Sequence, residues 1–525
     1  RPGAKKALKA GWRPPYSEIY LAYGERRRLV FRAGTDCPGQ VARVPGPLDE
    51  RGEAELEGEG VARRLMRAAT RAGHELRFYD DARAHLAALT DDQRRREAVD
   101  RLLPRGEGDR LFGRLLHATL KPYQKTGALF AARAGRSLIA DDMGLGKTIQ
   151  AIACGEILRR AGCVRRVLVI CPASLKHQWQ DEIARFARWD ALVVNGPYQA
   201  RAALWADPKP FVKIAAYDVL RRDRDRIAAW EADLLILDEA QRVKNWRTVA
   251  ARTLRTLRIP QVAVLTGTPL ENRLEELHSI IELVDRFHLG PRWKFLASHQ
   301  LLDADTGKVV GYRDLDRIRQ VLSPIMIRRT RAEVLTELPG RSERSVYVDL
   351  GPEQRAVHDE ALESVARLCA KFRRFHHLSD EDLERLRRLL TRMRMVCDDL
   401  HLVDETRREG GKVGEIEALL EAHLADPNAK AVVFSEWLAM HNLLADRLTT
   451  LGIGHVFLNG SIPSSERGAL VHRFREDAAC RVFLATNAAS AGLNLQVADL
   501  LINADLPWNP AILAQRAGRI HRMGQ

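Results

Sequence analysis

Short apolar runs that do not alternate constrain this chain more than any other feature. Arg166-Val167-Leu168-Val169-Ile170-Cys171-Pro172, Phe211 to Ala216, Asp233 to Leu237 and Gln261 to Leu265 are near-continuous apolar stretches. A strand with one face in water alternates apolar and polar residues, because successive side chains point to opposite faces; a run apolar at nearly every position has both faces covered. Helical patterns lie between these runs, so residues 118 to 340 predict a parallel sheet with crossover helices on both faces. A second series begins near Lys412, with Ala431-Val432-Val433-Phe434, His455-Val456-Phe457-Leu458, Arg481-Val482-Phe483-Leu484-Ala485 and Asp499-Leu500-Leu501-Ile502. It predicts a second α/β lobe.

At 525 residues the chain exceeds a single core, and a prior of about 150 residues per domain suggests three or so domains. The expected division is an N-terminal accessory region over 1–115, a first lobe over 116–340 with a helical insertion near 270–330, and a second lobe over 341–525 with a helical insertion near 352–405. The N-terminal region mixes strand and helix signals around a Gly/Glu-rich break at 52–60 and carries no assignable motif. Within the second insertion, LERLRRLLTRMRMV at 383–396 reads as one arm of a helical hairpin with a solvated basic face; arginines facing a phosphate backbone are the alternative.

The stretch IADDMGLGKTIQA at 139–151 has the parts of a phosphate cradle. A buried strand, Ser137-Leu138-Ile139-Ala140, stops abruptly. Gly144 and Gly146 free backbone N–H groups to turn inward, Lys147 supplies charge, Thr148 a hydroxyl for Mg²⁺, and Ile149, Ile152 and Ile157 open a helix. The first glycine of the strict pattern is replaced by Asp141, so an ordinary Gly-rich turn is the plain alternative. Downstream, LLILDEAQRVKN at 234–245 is a buried strand ending in adjacent carboxylates. Nucleotide hydrolysis uses one acid to hold the metal and one to orient or deprotonate water, so Asp238 is assigned to Mg²⁺ and Glu239 to water. A solvated acidic pair is the bland reading, weakened by the shared lobe. Leu265-Thr266-Gly267-Thr268-Pro269 follows another apolar strand and could link the hydrolysis site to a facing element. Near the C-terminus, Gln515, Arg519 and Arg522 fall on one helical face, which suits a γ-phosphate; a basic face on nucleic acid is the alternative, most of all for Arg516.

The 84 Lys+Arg against 69 Asp+Glu leave a formal charge of +15, favouring a polyanionic partner over an acidic protein or neutral metabolite. No apolar span is long enough to cross a bilayer and no signal peptide is recognisable, so the expected location is cytoplasmic and nucleoid-associated, with no membrane partner. Seven cysteines, none in a C-x-x-C pair, argue against a disulfide framework or structural zinc and for buried reduced thiols.

The order of motifs then supports a resemblance. ADDMGLGKT, DEAQ, LTGTP, FSEW, LNGSIPSSER, ATNAASAGLNL, DLPWNP and QRAGRIHRMGQ, spread over residues 118–525, resemble the Swi/Snf-type helicase-related ATPases of helicase superfamily two. IMIRRTRAEVLTELP at 325–339 is similar to the segment joining the two lobes in that family. The resemblance implies two tandem RecA-like lobes, ATP and Mg²⁺ as cofactors, and duplex DNA as partner. It implies Gln124, in LKPYQ, at the adenine; Ser174, Lys176 and Trp179, in CPASLKHQW, along a DNA backbone from the first lobe; and Ser435, Asn459, Thr486 and Trp508 near DNA from the second; Thr266 and, from its basic helix face, Arg516 are expected with the DNA-binding residues. Gly492 matches a hinge-like motif touching nucleotide and DNA, Gln515 lies with the nucleotide group, and Arg519 and Arg522 match paired arginine fingers.

The implied function is an ATP-dependent translocase on double-stranded DNA that remodels or displaces protein–DNA complexes without strand separation. Alternatives are an RNA-polymerase-recycling factor of RapA type, with RNA polymerase as partner, a strand-separating helicase, and an ATP-gated DNA-binding module. Gln241 in DEAQ and Gly518 depart from the usual His and Asp of relatives, pointing to bacterial or archaeal kin. A first residue that is not Met, and a stop after Met523-Gly524-Gln525 where relatives continue into a brace-like segment, point to a chain trimmed at both ends.

Overall fold

The computed structural model describes residues 14–23, 27–243, 248–267, 273–303, 307, 309–334, 342–487 and 495–520. The chain divides into two compact units, with the passage from first to second between Thr330 and Arg331; Met143–Leu145 and Ala173–His177 are grouped with the second.

The first unit opens with a small mixed sheet. Strands β1 (Ser17–Ala22), β2 (Arg28–Arg32), β3 (Glu53–Glu55) and β4 (Leu76–Phe78) lie in the order β3-β2-β1-β4, with β4 parallel to β1 and the other pairs antiparallel. Helices Gly58–Arg71 and Asp80–Leu102 follow β3 and β4. Ile19, Phe31, Val41 and Leu65 form the centre of its separate apolar core.

Next come β5 (Arg136–Ile139), β6 (Val167–Cys171), β7 (Ala191–Val193), β8 (Val212–Ala216), β9 (Leu234–Leu237), β10 (Gln261–Leu265), the hairpin β11 (Gln300–Leu302) and β12 (Val309–Tyr312), and β13 (Met326–Ile327). Seven of them form one all-parallel sheet in the order β13-β5-β10-β9-β6-β8-β7. β6, β8, β9 and β10 are buried at every residue, as runs without alternation require. Lys213 is no exception: its Nζ donates to Trp205 O (2.6 Å) and Asp207 O (2.7 Å) and lies 4.7 Å from the Trp230 ring centroid. The insertion near 270–330 differs from the expected helical one. Besides helices Leu274–Val284, Arg292–His299 and Leu315–Leu322 it contains the antiparallel β11-β12 hairpin.

The second unit carries β14 (Ala431–Phe434), β15 (Gly454–Leu458), β16 (Cys480–Ala485) and β17 (Leu500–Asn503), all parallel in the order β15-β16-β14-β17. Alternate residues of β14 enter opposite cores: Ala431 and Val433 join Leu444 and Leu484, while Val432 and Phe434 join Phe474 and Phe483. Helices Pro352–Phe375 and Asp380–Asp398 form the expected hairpin, with the Ser379 side chain capping the second. Three of the seven cysteines are buried, but Cys369 on this hairpin is exposed, unlike the buried thiol expected. Among the described residues, no helix is long and apolar enough to cross a membrane.

Candidate active site

Parallel sheets present their sites at the carboxyl ends of the strands, where the chain turns into the next helix. In the first unit β5 ends at the Gly-Leu-Gly-Lys-Thr loop, β9 at Asp238-Glu239 and β10 at Thr266. Only β10 separates β5 from β9, so their ends stand about 10 Å apart.

The loop turns through two glycines in left-handed backbone, Gly144 (φ 85°) and Gly146 (φ 70°). Gly146 is also a close approach: a Cβ there would lie 2.7 Å from Gln124 Nε2. Gln124, buried in helix Pro122–Ala134, accepts from Lys121 N through Oε1 at 3.0 Å, so its amide is fixed against the loop. Lys147 begins helix Lys147–Arg160, and its Nζ donates to Asp141 O (2.7 Å) and Asp142 O (3.2 Å). Thr148, half-buried, follows in the same first turn.

Asp238 sits at the tip of β9 with Oδ2 accepting from Trp179 Nε1 (2.8 Å) and Oδ1 from Glu239 N (2.9 Å). Burial, then the neighbouring Glu239 charge, pushes its carboxyl up from 3.8 to about 7, against the Trp179 hydrogen bond and the Lys147 charge. Glu239 adopts φ 51°, a left-handed conformation that costs a side-chain-bearing residue about 1–2 kcal/mol. Its Oε2 accepts from Gln241 Nε2, and Gln241 Oε1 accepts from Thr266 Oγ1 at 2.8 Å. Gln241, noted in the sequence only as a departure, thus bridges Glu239 to the end of β10. An amide, with a donor and an acceptor on one side chain, can make this two-way bridge.

The remaining expected nucleic-acid residues divide by exposure. Half-buried Ser174 lies in the turn Ala173–Leu175, and Lys176, which opens helix Lys176–Phe186, is itself buried. Trp179 is 2% exposed and spends its indole N–H on Asp238, a position unlike that of a backbone contact. Thr266 is equally enclosed. In the second unit, Ser435 is buried with Oγ donating to Asp505 Oδ2 at 2.5 Å, and the Thr486 hydroxyl is buried without a partner among the described residues. Asn459 caps its own turn, accepting from Ser461 N and Oγ. Trp508 is 70% exposed, 5.4 Å from the Arg394 guanidinium. Arg394 in turn donates to Glu436 Oε2 (2.7 Å) and Leu506 O (2.8 Å).

Arg516 departs most from the expected basic surface. It is 1% exposed, and its guanidinium donates to Asn487 Oδ1 (2.7 Å), Asn503 Oδ1 (3.0 Å), Asp505 O (2.9 Å) and Asp505 Oδ1 (3.2 Å). A guanidinium making four hydrogen bonds in the interior is a structural keystone, because removing it would leave a buried carboxylate and buried acceptors unpaired. Gln515 and Arg519 share helix Pro510–Ile520. Gly492 and Arg522 lie outside the described residues.

Comparison with known proteins places these motifs. Residues 123–402, more than half of the 525, match the SNF2-related domain, and residues 412–524 match the helicase conserved C-terminal domain. YwqA of Bacillus subtilis (strain 168), a protein named for helicase or translocase activity, is 31% identical over 78% of this chain and 45% of its own length. Chromodomain-helicase-DNA-binding protein 1-like of Danio rerio is 29% identical over 77% of this chain and 40% of its own. The SWI2/SNF2 ATPase core of Sulfolobus solfataricus, solved in complex with dsDNA, is 26% identical over 78% of this chain and 86% of that one, with a TM-score of 0.41. The chain spans less than half the length of the two curated relatives named. With its first family match covering the whole seven-stranded sheet and its second the whole sheet of the second unit, the chain belongs to the SNF2-related helicase family.

Proposed function

We propose that this protein hydrolyses ATP to move along double-stranded DNA and displace or remodel what is bound there, without separating the strands. The observation that carries the reading is the convergence, at the carboxyl edge of one parallel sheet, of a lysine-bearing phosphate loop and an adjacent acid pair, in which burial already resists the charge of Asp238. Relatives named for helicase, translocase and DNA-binding activity support it, as does the excess of positive charge.

In this reading the loop N–H groups and Lys147 hold the phosphates, with Gly144 and Gly146 shaping the cradle and Gln124 beside it for the base. The donor set suits Mg²⁺: a hydroxyl at Thr148 and a carboxylate at Asp238 are hard oxygen ligands, and a carboxylate pushed up to about 7 is one that a cation would return to its charged form. Bound there with the substrate phosphates, Mg²⁺ would neutralise charge on the β- and γ-oxygens. Glu239 orients the attacking water and takes its proton, while Gln241 carries the state of Glu239 to Thr266. Arg519 and Arg522 are assigned to stabilise the transferring phosphoryl group, with Gln515 and Gly492 in the nucleotide-binding set. Ser174, Asn459 and exposed Trp508 are proposed to touch the DNA, held in place by buried Lys176, Trp179, Thr266, Ser435, Thr486 and Arg516.

Steady-state ATP hydrolysis with no nucleic acid, single-stranded DNA, duplex DNA or duplex RNA, with Glu239→Gln as blank, tests the proposal. Stimulation selective for duplex DNA is expected. Indifference to every nucleic acid would refute it.

A further inference from the structure

We propose that Arg329 is a positioning residue for the phosphate loop, acting through a buried ion pair with Asp141, and that it ties the shape of the loop to the segment by which the chain leaves the first unit. The inference rests on reading this loop as the ATP site.

Asp141 occupies the place where a strict loop pattern has glycine, and it is fully buried. A carboxylate taken out of water is costly unless its charge and lone pairs are met. Two residues meet them. Arg329 donates Nε to Oδ1 (3.0 Å), Nη2 to Oδ2 (2.5 Å) and its own backbone N–H to Oδ1 (3.1 Å). Gln150, one turn into the helix that follows the loop, adds Nε2 to Oδ2 (3.0 Å) and accepts Arg329 Nη2 through Oε1 (2.8 Å). The last nitrogen of the guanidinium, Nη1, donates to Tyr123 O on the helix that precedes β5. That helix comes this close because residue 127 is glycine: a Cβ there would stand 1.9 Å from Gln150 Oε1 and 2.7 Å from Arg329 Nη2.

Three elements therefore converge on one guanidinium, and the guanidinium is carried by the segment that continues the edge strand β13 beyond Ile327. Leu138 N donates to Ile325 O (2.7 Å), Ala140 N to Ile327 O (2.8 Å) and Asp142 N to Arg329 O (3.0 Å), a parallel ladder that runs past the end of β5 into the loop. Two residues beyond Arg329 the chain belongs to the second unit. On the other side, the Asp141 carbonyl receives Lys147 Nζ at 2.7 Å. Any displacement of the departing strand is passed through one buried aspartate to the lysine that meets phosphate. Asp141 is thus the socket of this device, which accounts for an acid where the loop pattern asks for glycine.

Arg329→Lys keeps the charge but loses the planar fork, and Asp141→Asn keeps the shape but loses the charge. The test measures, on the full chain, binding of a fluorescent ADP and the KM and kcat for ATP with duplex DNA. Misplacement of a contact by about 1 Å costs up to roughly 100-fold, so a rise in KM of about tenfold or more is expected in each variant, with kcat little changed. The variant carrying both changes should lose no more than either alone, because both break one unit. Asp141→Glu combined with Arg329→Lys, where a longer acid meets a shorter reach, should recover part of the affinity. A purely structural role would lower the folded fraction, giving a reduced kcat at unchanged KM and unchanged ADP affinity; that result overturns the proposal. If Arg329→Lys does not fold, Asp141→Asn carries the same comparison. An unsubstituted chain that binds no nucleotide would remove the ATP-site reading itself.

Discussion

Trp179→Phe isolates one hydrogen bond in the proposed active site. The ring is kept and the indole N–H, which reaches Asp238 Oδ2 at 2.8 Å in a fully buried setting, is lost. A hydrogen bond to a charged group contributes about 1.5–3 kcal/mol, and about 1.4 kcal/mol is a tenfold change in an ionisation equilibrium. With the Asp238 carboxyl already pushed up to about 7, the substitution should reduce its ionised fraction at neutral pH about tenfold. Protons then compete with Mg²⁺. The Mg²⁺ concentration that half-saturates ATP hydrolysis, measured from pH 6.5 to 9, should be about tenfold higher for the variant near pH 7 and converge on that of the unsubstituted chain as pH rises. Parallel curves across the whole range would refute the reasoning, since a loss independent of pH would mean that Trp179 acts by packing alone. The sign for stability is opposite. Asp238 holds a proton in the folded chain up to about pH 7 and in the unfolded chain only to 3.8, so its contribution is full at low pH and is lost as pH rises across that interval.

Glu239→Gln should bind ATP and duplex DNA while hydrolysis falls at least about 100-fold, the usual loss for a positioned base, whereas Lys147→Ala should abolish nucleotide binding in an equilibrium dialysis experiment. Arg516→Ala should destabilise the second unit by about 3–5 kcal/mol in denaturant unfolding by leaving the Asp505 carboxylate uncompensated; unchanged stability with a weaker salt dependence of DNA binding would instead restore the surface-contact role. Burial holds Lys213 down to about 8 from 10.5, so between these values the unfolded chain carries the extra proton and stability should increase with pH. Lys213→Met should remove that increase in melting curves taken from pH 7.5 to 10.

Much of the fold was legible because burial on both faces of a strand leaves a plain mark. Gln261–Leu265 and Ala431–Phe434 begin and end where the apolar runs do. Ala191–Val193 and Met326–Ile327 escaped because edge strands this short carry too few residues for any pattern, and Met326–Ile327 is defined by its partner β5 alone. The β11-β12 hairpin, with Leu301 and Leu302 exposed, has no buried face to announce it. In the site, loop glycines, lysine and acid pair could be read because their chemistry needs fixed spacing. Arg516 could not: its place on a helix face is visible in sequence, but that Asn487, Asn503 and Asp505 close around it depends on residues far apart in the chain. Asp141 is the reverse case, an anomaly plain in the sequence whose reason lies at Arg329.

The left-handed backbone at Glu239 sets two kinds of fitness against each other. Glycine would relieve about 1–2 kcal/mol of strain at this position, a gain comparable to many stabilising substitutions. It would also delete the side chain proposed to handle water. Random variants screened only for heat resistance should therefore accumulate Glu239→Gly, and variants screened for turnover should exclude it. A collection of SNF2-related chains sorted by residue at this one position would separate those kept for work from those kept for endurance.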